Sequence, residues 1–400
     1  MRSYIGGRPS FHFWLLFGQE HDRKSIFPLN QERCFYYYSA RYALAAGIRA
    51  LGINPGDSIL LPSYNCGTEI DPIIRSKIKP VFYKVGKNLL ADCDDIRKKI
   101  TDDVRAILAT HFLGFPQPVD QIKRICTERK LFLIEDCAHA LLSTYNGKAL
   151  GSYGDMSIFS LYKTIPIPDG GALLINNKNI RLNYFPEKPE LLATTFYGAE
   201  ILRCKTWNNN NLFREKGLSV LNRGIYISIR CLRLLVAGFR KYCDPQGLYL
   251  VRPDTALFIE NLCSWEISDL SKYIINKTDF EIIKDVRRRN FQYLLNYFLK
   301  NERGILPFSE LPGGVCPLFF PIILESGEKR EKLYNTLKRR GVITHPWWSY
   351  FHAEVPWDEF PDAVYLKRRL FGLPVHQDLT TTHLDLAIEE FEKAYRDVER

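Results

Sequence analysis

The feature that most restricts how this chain can fold is an alternation of short apolar runs with amphipathic stretches between Ser58 and Asp136. Residues 58–62, 80–85, 104–111 and 131–136 read as strands, each brief and rich in Val, Ile, Leu or Phe. Residues 63–79, 94–101 and 118–129 between them read as helices. Such alternation builds right-handed βαβ units and a mostly parallel sheet, so the expected class is α/β. Ligands of such sheets collect beyond the carboxyl ends of the strands. Asp136 and His111 end strands, and Lys163 follows another.

Lys163 lies in Ser157-Ile-Phe-Ser-Leu-Tyr-Lys-Thr-Ile-Pro-Ile-Pro-Asp-Gly-Gly-Ala-Leu-Leu-Ile-Asn176. Two apolar strands flank a loop stiffened by Pro166 and Pro168, which fix φ, and the Gly170-Gly171 pair permits backbone angles closed to other residues. An amine presented this way is either an ordinary solvated lysine or a Schiff-base nucleophile with a lowered pKa. Asp136 ends an apolar strand, and a carboxylate at that depth needs a partner. It either caps a helix starting around Cys137 or pairs with the protonated ring nitrogen of a pyridine cofactor. Ser39 precedes a helix that carries Ala43, Leu44, Ile48 and Leu51 on one face and closes at Gly52. Ser39, Ala40 and Arg41 are then either a plain cap or a phosphate seat at a helix N-terminus.

A net charge of +10 and a pI near 9.0 favour anionic partners without choosing among phosphates, nucleotides or anionic membranes. The basic residues are dispersed and match no nucleic-acid module, so nucleic acid is not an expected partner. The ten cysteines show no zinc spacing; Cys126 and Cys137 read as small buried hydrophobes, and a reducing cytoplasm is the simplest compartment. Residues 11–17 are too short and wrongly flanked for a signal peptide, and no apolar run reaches membrane-spanning length.

Within residues 218–242, Arg223, Arg230, Arg233 and Arg240 fall on one helical face. Such a helix either lies on an anionic membrane surface or packs partly buried with its arginines outward. Residues 270–299 read as one long helix with Arg287, Arg288 and Arg289 exposed. Beyond about residue 300 a smaller unit is expected: a strand-rich run at 316–324, a helix at 328–340, a strand at 341–345 and a terminal helix at 385–396.

Several motifs, in order, resemble the DegT/DnrJ/EryC1/StrS family of pyridoxal-phosphate aminotransferases. They are Ser39-Ala-Arg-Tyr-Ala-Leu44, Leu51-Gly-Ile-Asn-Pro-Gly-Asp57, Thr110-His-Phe-Leu-Gly114, Ile134-Glu-Asp-Cys-Ala-His-Ala140, Phe159-Ser160 with Lys163 and Gly170-Gly171, and Leu373-Pro-Val-His376. The resemblance implies an aspartate-aminotransferase-like fold of type I with pyridoxal 5'-phosphate as cofactor. Lys163 then matches the lysine that forms the internal aldimine, and Asp136 the partner of the pyridine nitrogen. His139 matches a residue near the ring, Ser160 a phosphate-binding serine, and Ala40 and Arg41 the loop whose amides hold the phosphate, with Ser39 beside them. Three departures stand out. Lys163 follows Ser160 more closely than in common members, Cys66 stands where many members place an aromatic on the ring, and Ser264-Trp-Glu-Ile-Ser268 replaces a segment that reaches a neighbouring subunit. His345-Pro-Trp-Trp348 resembles a segment bordering the substrate cleft.

The expected organisation is an arm over 1–32, a large cofactor-binding domain over 33–299 with an insertion near 180–262, and a small domain over 300–400. The expected activity is amino transfer from glutamate to a nucleotide-linked keto-sugar, in a homodimer. The rivals are a sugar dehydratase of the same fold, whose members typically replace the lysine by histidine, and a non-catalytic, membrane-associated assembly protein.

Overall fold

The computed structural model describes residues 26–189 and 258–399, together with residues 5–11, 15, 18 and 20. The first body alternates strands and helices: β1 (Cys34–Tyr37), α1 (Ala40–Ala50), β2 (Ser58–Pro62), α2 (Ile70–Arg75), β3 (Lys79–Tyr83), α3 (Cys93–Lys98), β4 (Val104–Thr110), α4 (Val119–Arg129) and β5 (Phe132–Asp136). A small hairpin of β6 (Thr144–Tyr145) and β7 (Lys148–Ala149) precedes β8 (Met156–Ser160) and β9 (Gly171–Ile175). Seven strands form one sheet in the order β1-β9-β8-β5-β4-β2-β3. Its core from β8 to β3 is parallel, while β9 and β1 run antiparallel at one edge. The apolar runs of β2, β8 and β9 are buried at every residue, as a sheet covered on both faces requires.

Two helices, α5 (Asp269–Asn276) and α6 (Phe280–Asn301), lead into the second body. It continues through β10 (Phe319–Ile323), α7 (Gly327–Arg339), β11 (His345–Pro346), α8 (Pro361–Arg369), β12 (Leu370–Pro374) and α9 (Thr381–Glu399). Its strands form an antiparallel sheet, β10-β12-β11. The N-terminal arm lies against this sheet: Ile5 bridges Val342 in parallel, and His376 Nε2 donates to the Gly6 carbonyl at 2.8 Å.

Four expectations change. The helix expected over 63–79 shrinks to α2, because Asn65 Nδ2 donates to the carbonyls of Pro62 and Ser63 and Gly67 takes φ +89°. These turn contacts hold residues 63–69 as a loop. The long helix expected over 270–299 is two helices, since Asp279 accepts from Ile282 N and starts α6 afresh. The strand expected over 341–345 contracts to a two-residue pairing at His345 and Pro346.

Arg287, expected in solvent, is 1% exposed. Its guanidinium donates to the carbonyls of Pro317 (3.3 Å), Leu318 (3.1 Å) and Thr164 (3.5 Å) and to Gln377 Oε1 (3.2 Å). Buried carbonyls need donors, and an arginine supplies several in one plane. Only Arg289 of the trio is exposed. The basic segment 218–242 and most of the 180–262 stretch lie outside the described residues. Among the described residues no helix is long and apolar enough to cross a membrane.

Replacing Arg287 by Met should strand those carbonyls and lower unfolding free energy by about 2–4 kcal/mol. A urea titration showing an unchanged midpoint would contradict this assignment.

Candidate active site

The strand ends position the site. Thr110 closes β4, Asp136 closes β5, Ser160 closes β8, and the loop after β2 and the start of α1 complete the ring. Together they line a cavity bordered by Ser39, Ala40, Arg41, Asp136, His139, Ser160 and Lys163. All seven residues singled out in the sequence therefore share one space.

Neighbouring carboxylates on β5 point to opposite faces, as strand geometry dictates. Glu135 turns away from the cavity: Oε1 accepts from Tyr153 N (2.7 Å) and Gly154 N (2.6 Å), and Oε2 from Gly151 N (2.9 Å) and His111 Nε2 (3.0 Å). His111 Nδ1 accepts from Gln117 N at 3.1 Å, which leaves the proton on Nε2. His111 thus braces the β8 approach and does not join the cavity with Asp136 and Lys163. Glu135, His111 and Cys137 lie close enough to suggest metal ligands. The carboxylate is already saturated by four donors, however, and burial pushes the Cys137 thiol well above its ordinary range.

Asp136 faces the cavity. Oδ1 accepts from Ala138 N at 2.9 Å and Oδ2 from Thr110 Oγ1 at 3.5 Å. No helix starts at Cys137; the chain turns there, so Asp136 closes a turn and the helix-cap reading is set aside. Burial and the nearby charge of Glu69 raise its carboxyl to about 6, against the opposing pull of Lys163 and His111. A buried carboxylate with two modest donors is under-satisfied, and a cation in the cavity would relieve it. His139 is held neutral, its pKa well below the usual value through burial and the charges of Lys163 and Arg8. Its Nδ1 accepts from Leu113 N at 3.3 Å, while Nε2 is buried without a partner.

Lys163 ends a short 3-10 turn, Leu161–Lys163. The loop behind it is fixed at both ends. Leu161 N donates to Gly170 O at 3.0 Å, Gly170 N to Tyr38 O at 2.9 Å, and Gln377 Nε2 to Thr164 O at 3.0 Å. Asp169, also raised to about 6 by burial, accepts from Ser268 N at 2.8 Å.

Across the cavity, Ser39 has extended backbone at the head of α1, yet its hydroxyl caps no amide and the first turn holds no acidic residue. Ser39 Oγ and Ser160 Oγ are both buried without partners. Gly171 makes this approach possible, because a Cβ there would sit 2.2 Å from Ser39 C and 2.3 Å from Ala40 N. The result is a helix N-terminus with two idle hydroxyls, an arrangement suited to a phosphate.

Sequence reading missed the opposite wall. Thr68 and Glu69 line it beside Cys66, with Cys66 N donating to Glu69 Oε1 (3.1 Å) and Cys66 Sγ to Oε2 (2.8 Å). The turn signal Asn65-Cys-Gly67 was the available clue, and it ends the helix once assigned there. Tyr64 is buried and donates to Trp347 O at 3.3 Å. Trp348 faces the cavity in its place. Replacing Gly171 by Ala should force Ser39 and Ala40 off β9 at a cost of about 1–3 kcal/mol. Equal denaturation midpoints for the variant and the natural protein would refute that packing.

Residues 29–184 match the DegT/DnrJ/EryC1/StrS aminotransferase family. GDP-perosamine synthase of Vibrio cholerae is 34% identical over 138 residues, covering 34% of this chain and 38% of that protein. The chain therefore matches less than two fifths of that relative's length. A longer match, 25% identical over 374 residues, covers 92% of this chain and 85% of the dTDP-4-dehydro-2,3,6-trideoxy-D-glucose 4-aminotransferase of Saccharopolyspora spinosa. Among solved structures, the Escherichia coli GDP-4-keto-6-deoxy-D-mannose-3-dehydratase with bound hydrated PLP superposes with a TM-score of 0.65. It is 18% identical and the match covers 98% of this chain and 100% of that one. At that identity the likeness is one of fold, and it is the type I fold that the sequence motifs imply.

Proposed function

We propose that this protein is a pyridoxal-phosphate-dependent sugar aminotransferase of the DegT family. The observation that carries the reading is the convergence of a lysine, an under-satisfied buried carboxylate and a helix N-terminus with idle hydroxyls on one cavity. These residues fit the cofactor. Ser39 and Ser160 hydroxyls and the first amides of α1 would hold its phosphate, Asp136 its ring nitrogen, and Lys163 its carbonyl carbon. Bound there, pyridoxal phosphate supplies an electron sink that makes an amino group transferable.

The chain's own residues do the rest. Asp136 keeps a proton on the ring nitrogen by offering a charge in a dry setting. His139 stays neutral beside it and presents an N–H. The Lys163 amine, carried on a braced loop, takes a proton from the donor's carbon and returns it elsewhere, as a positioned general base does. The fine assignment is a nucleotide-linked keto-sugar as acceptor and glutamate as donor, supported by the family and by the +10 charge, which suits a diphosphate. A homodimer and a boundary near residue 300 between a large and a small domain complete the reading. The dehydratase alternative is disfavoured by Lys163, since dehydrating relatives typically carry histidine there.

Borohydride added to protein incubated with pyridoxal phosphate should fix one pyridoxyl group on the peptide containing Lys163, and Lys163→Ala should take up none. Labelling elsewhere, or none, would end the reading. Cofactor affinity should also depend on pH through Asp136. Its carboxyl binds a proton below about 6 in the free protein, and pairing with a ring cation requires that proton to leave. Affinity should therefore be full above pH 6 and fall by up to about tenfold per unit below it. Asp136→Asn should bind weakly and lose this dependence; a flat profile in the natural protein would contradict the pairing.

A further inference from the structure

Lys367, on α8, is fully buried and does not itself line the cavity. Its ammonium donates to three backbone carbonyls: Asn65 at 2.8 Å, Trp348 at 3.1 Å and Tyr350 at 2.5 Å. Trp357 and Phe351 place their rings 4.8 and 5.4 Å from the same nitrogen. Burying an ammonium is costly, and a site that meets the cost with three acceptors and two aromatic faces is built for it.

The three carbonyls belong to two adjacent loops that both contribute to the cavity lining. Asn65 precedes Cys66, and Trp348 itself lines the space. Trp348 has φ +47°, a left-handed backbone that costs a bulky residue energy unless neighbours hold it. Lesser contacts follow the same seam: Tyr64 donates to Trp347 O at 3.3 Å, and Gly67 at φ +89° sits under the Tyr350 ring, where a Cβ would come within 3.1 Å. Lys367 is the only side chain among the described residues seen to bond carbonyls of both loops at once.

We propose that Lys367 is a positioning residue: by joining Asn65, Trp348 and Tyr350 it locks together the two loops that carry Cys66 and Trp348 into the lining of the cofactor cavity. This role rests on the cofactor reading above. Deleting the ammonium releases Trp348 from its strained backbone and lets the two loops separate, which weakens cofactor retention while leaving Lys163, Asp136 and the phosphate seat in place.

The test compares the dissociation constant of pyridoxal phosphate, by equilibrium dialysis, for the natural protein, Lys367→Met and Lys367→Arg. The constant should rise about tenfold in Lys367→Met and stay closer to the natural value in Lys367→Arg, which keeps a cation with N–H donors at that position. Should Lys367→Met fail to fold, Lys367→Arg carries the test. Unchanged affinity in folded Lys367→Met, or a tenfold loss in folded Lys367→Arg, overturns the proposal. A natural protein that does not bind pyridoxal phosphate instead fails the cofactor reading itself.

Discussion

Asp136 is a carboxylate that ends an apolar strand in the middle of a covered sheet, and the rest of the site answers to it. Burial and the charge of Glu69 raise its pKa to about 6, so near neutral pH it carries a charge that its two donors meet poorly. A charge so placed is tolerable where a cation joins it. Lys163 supplies part of that cation from a loop tied to Tyr38, Ser268, Arg287 and Gln377. The bracing matters because an amine acts as a positioned base only when its loop cannot drift. The adjacent Glu135 shows the contrast: four donors satisfy it completely, and it serves the fold alone.

Much of this was legible in the sequence where periodicity is strong. The strands from Val104 to Asp136 and the intervening helix emerge within a residue or two, because parallel strands buried on both faces read as continuous apolar runs. That seven residues would share one cavity was legible through their place at strand ends and through motif order. Arg287 was not. Three arginines in a row look solvated, and only the docking of α6 against the Pro317 and Leu318 carbonyls selects one for the interior. Glu69 was missed because helical spacing over 63–79 outweighed the Asn-Cys-Gly turn. Lys367 could not be read at all, since its partners lie about twenty and three hundred residues away in sequence.

The departures from the family pattern acquire physical content. Ser160 and Lys163 are separated by a tight 3-10 turn, so the shorter spacing keeps the hydroxyl and the amine on one cavity. Cys66 is a neutral thiol, raised to about 12 by burial and the neighbouring Glu69, and offers little surface to a ring. Trp348 brings an aromatic side chain to the same cavity. Ser264-Trp-Glu-Ile-Ser268 packs within its own chain, Trp265 edge-on to Tyr38 and Ser268 capping α5.

The central claim is that Asp136 is held ready for a ring cation, and its own titration tests this most directly. Carbon-13 NMR of aspartate-labelled protein, with Asp136→Asn identifying the resonance, would follow the carboxyl with and without pyridoxal phosphate. The account predicts a midpoint near 6 in the free protein and a midpoint below the ordinary carboxylate range once the cofactor is bound. The same midpoint in both states would contradict it.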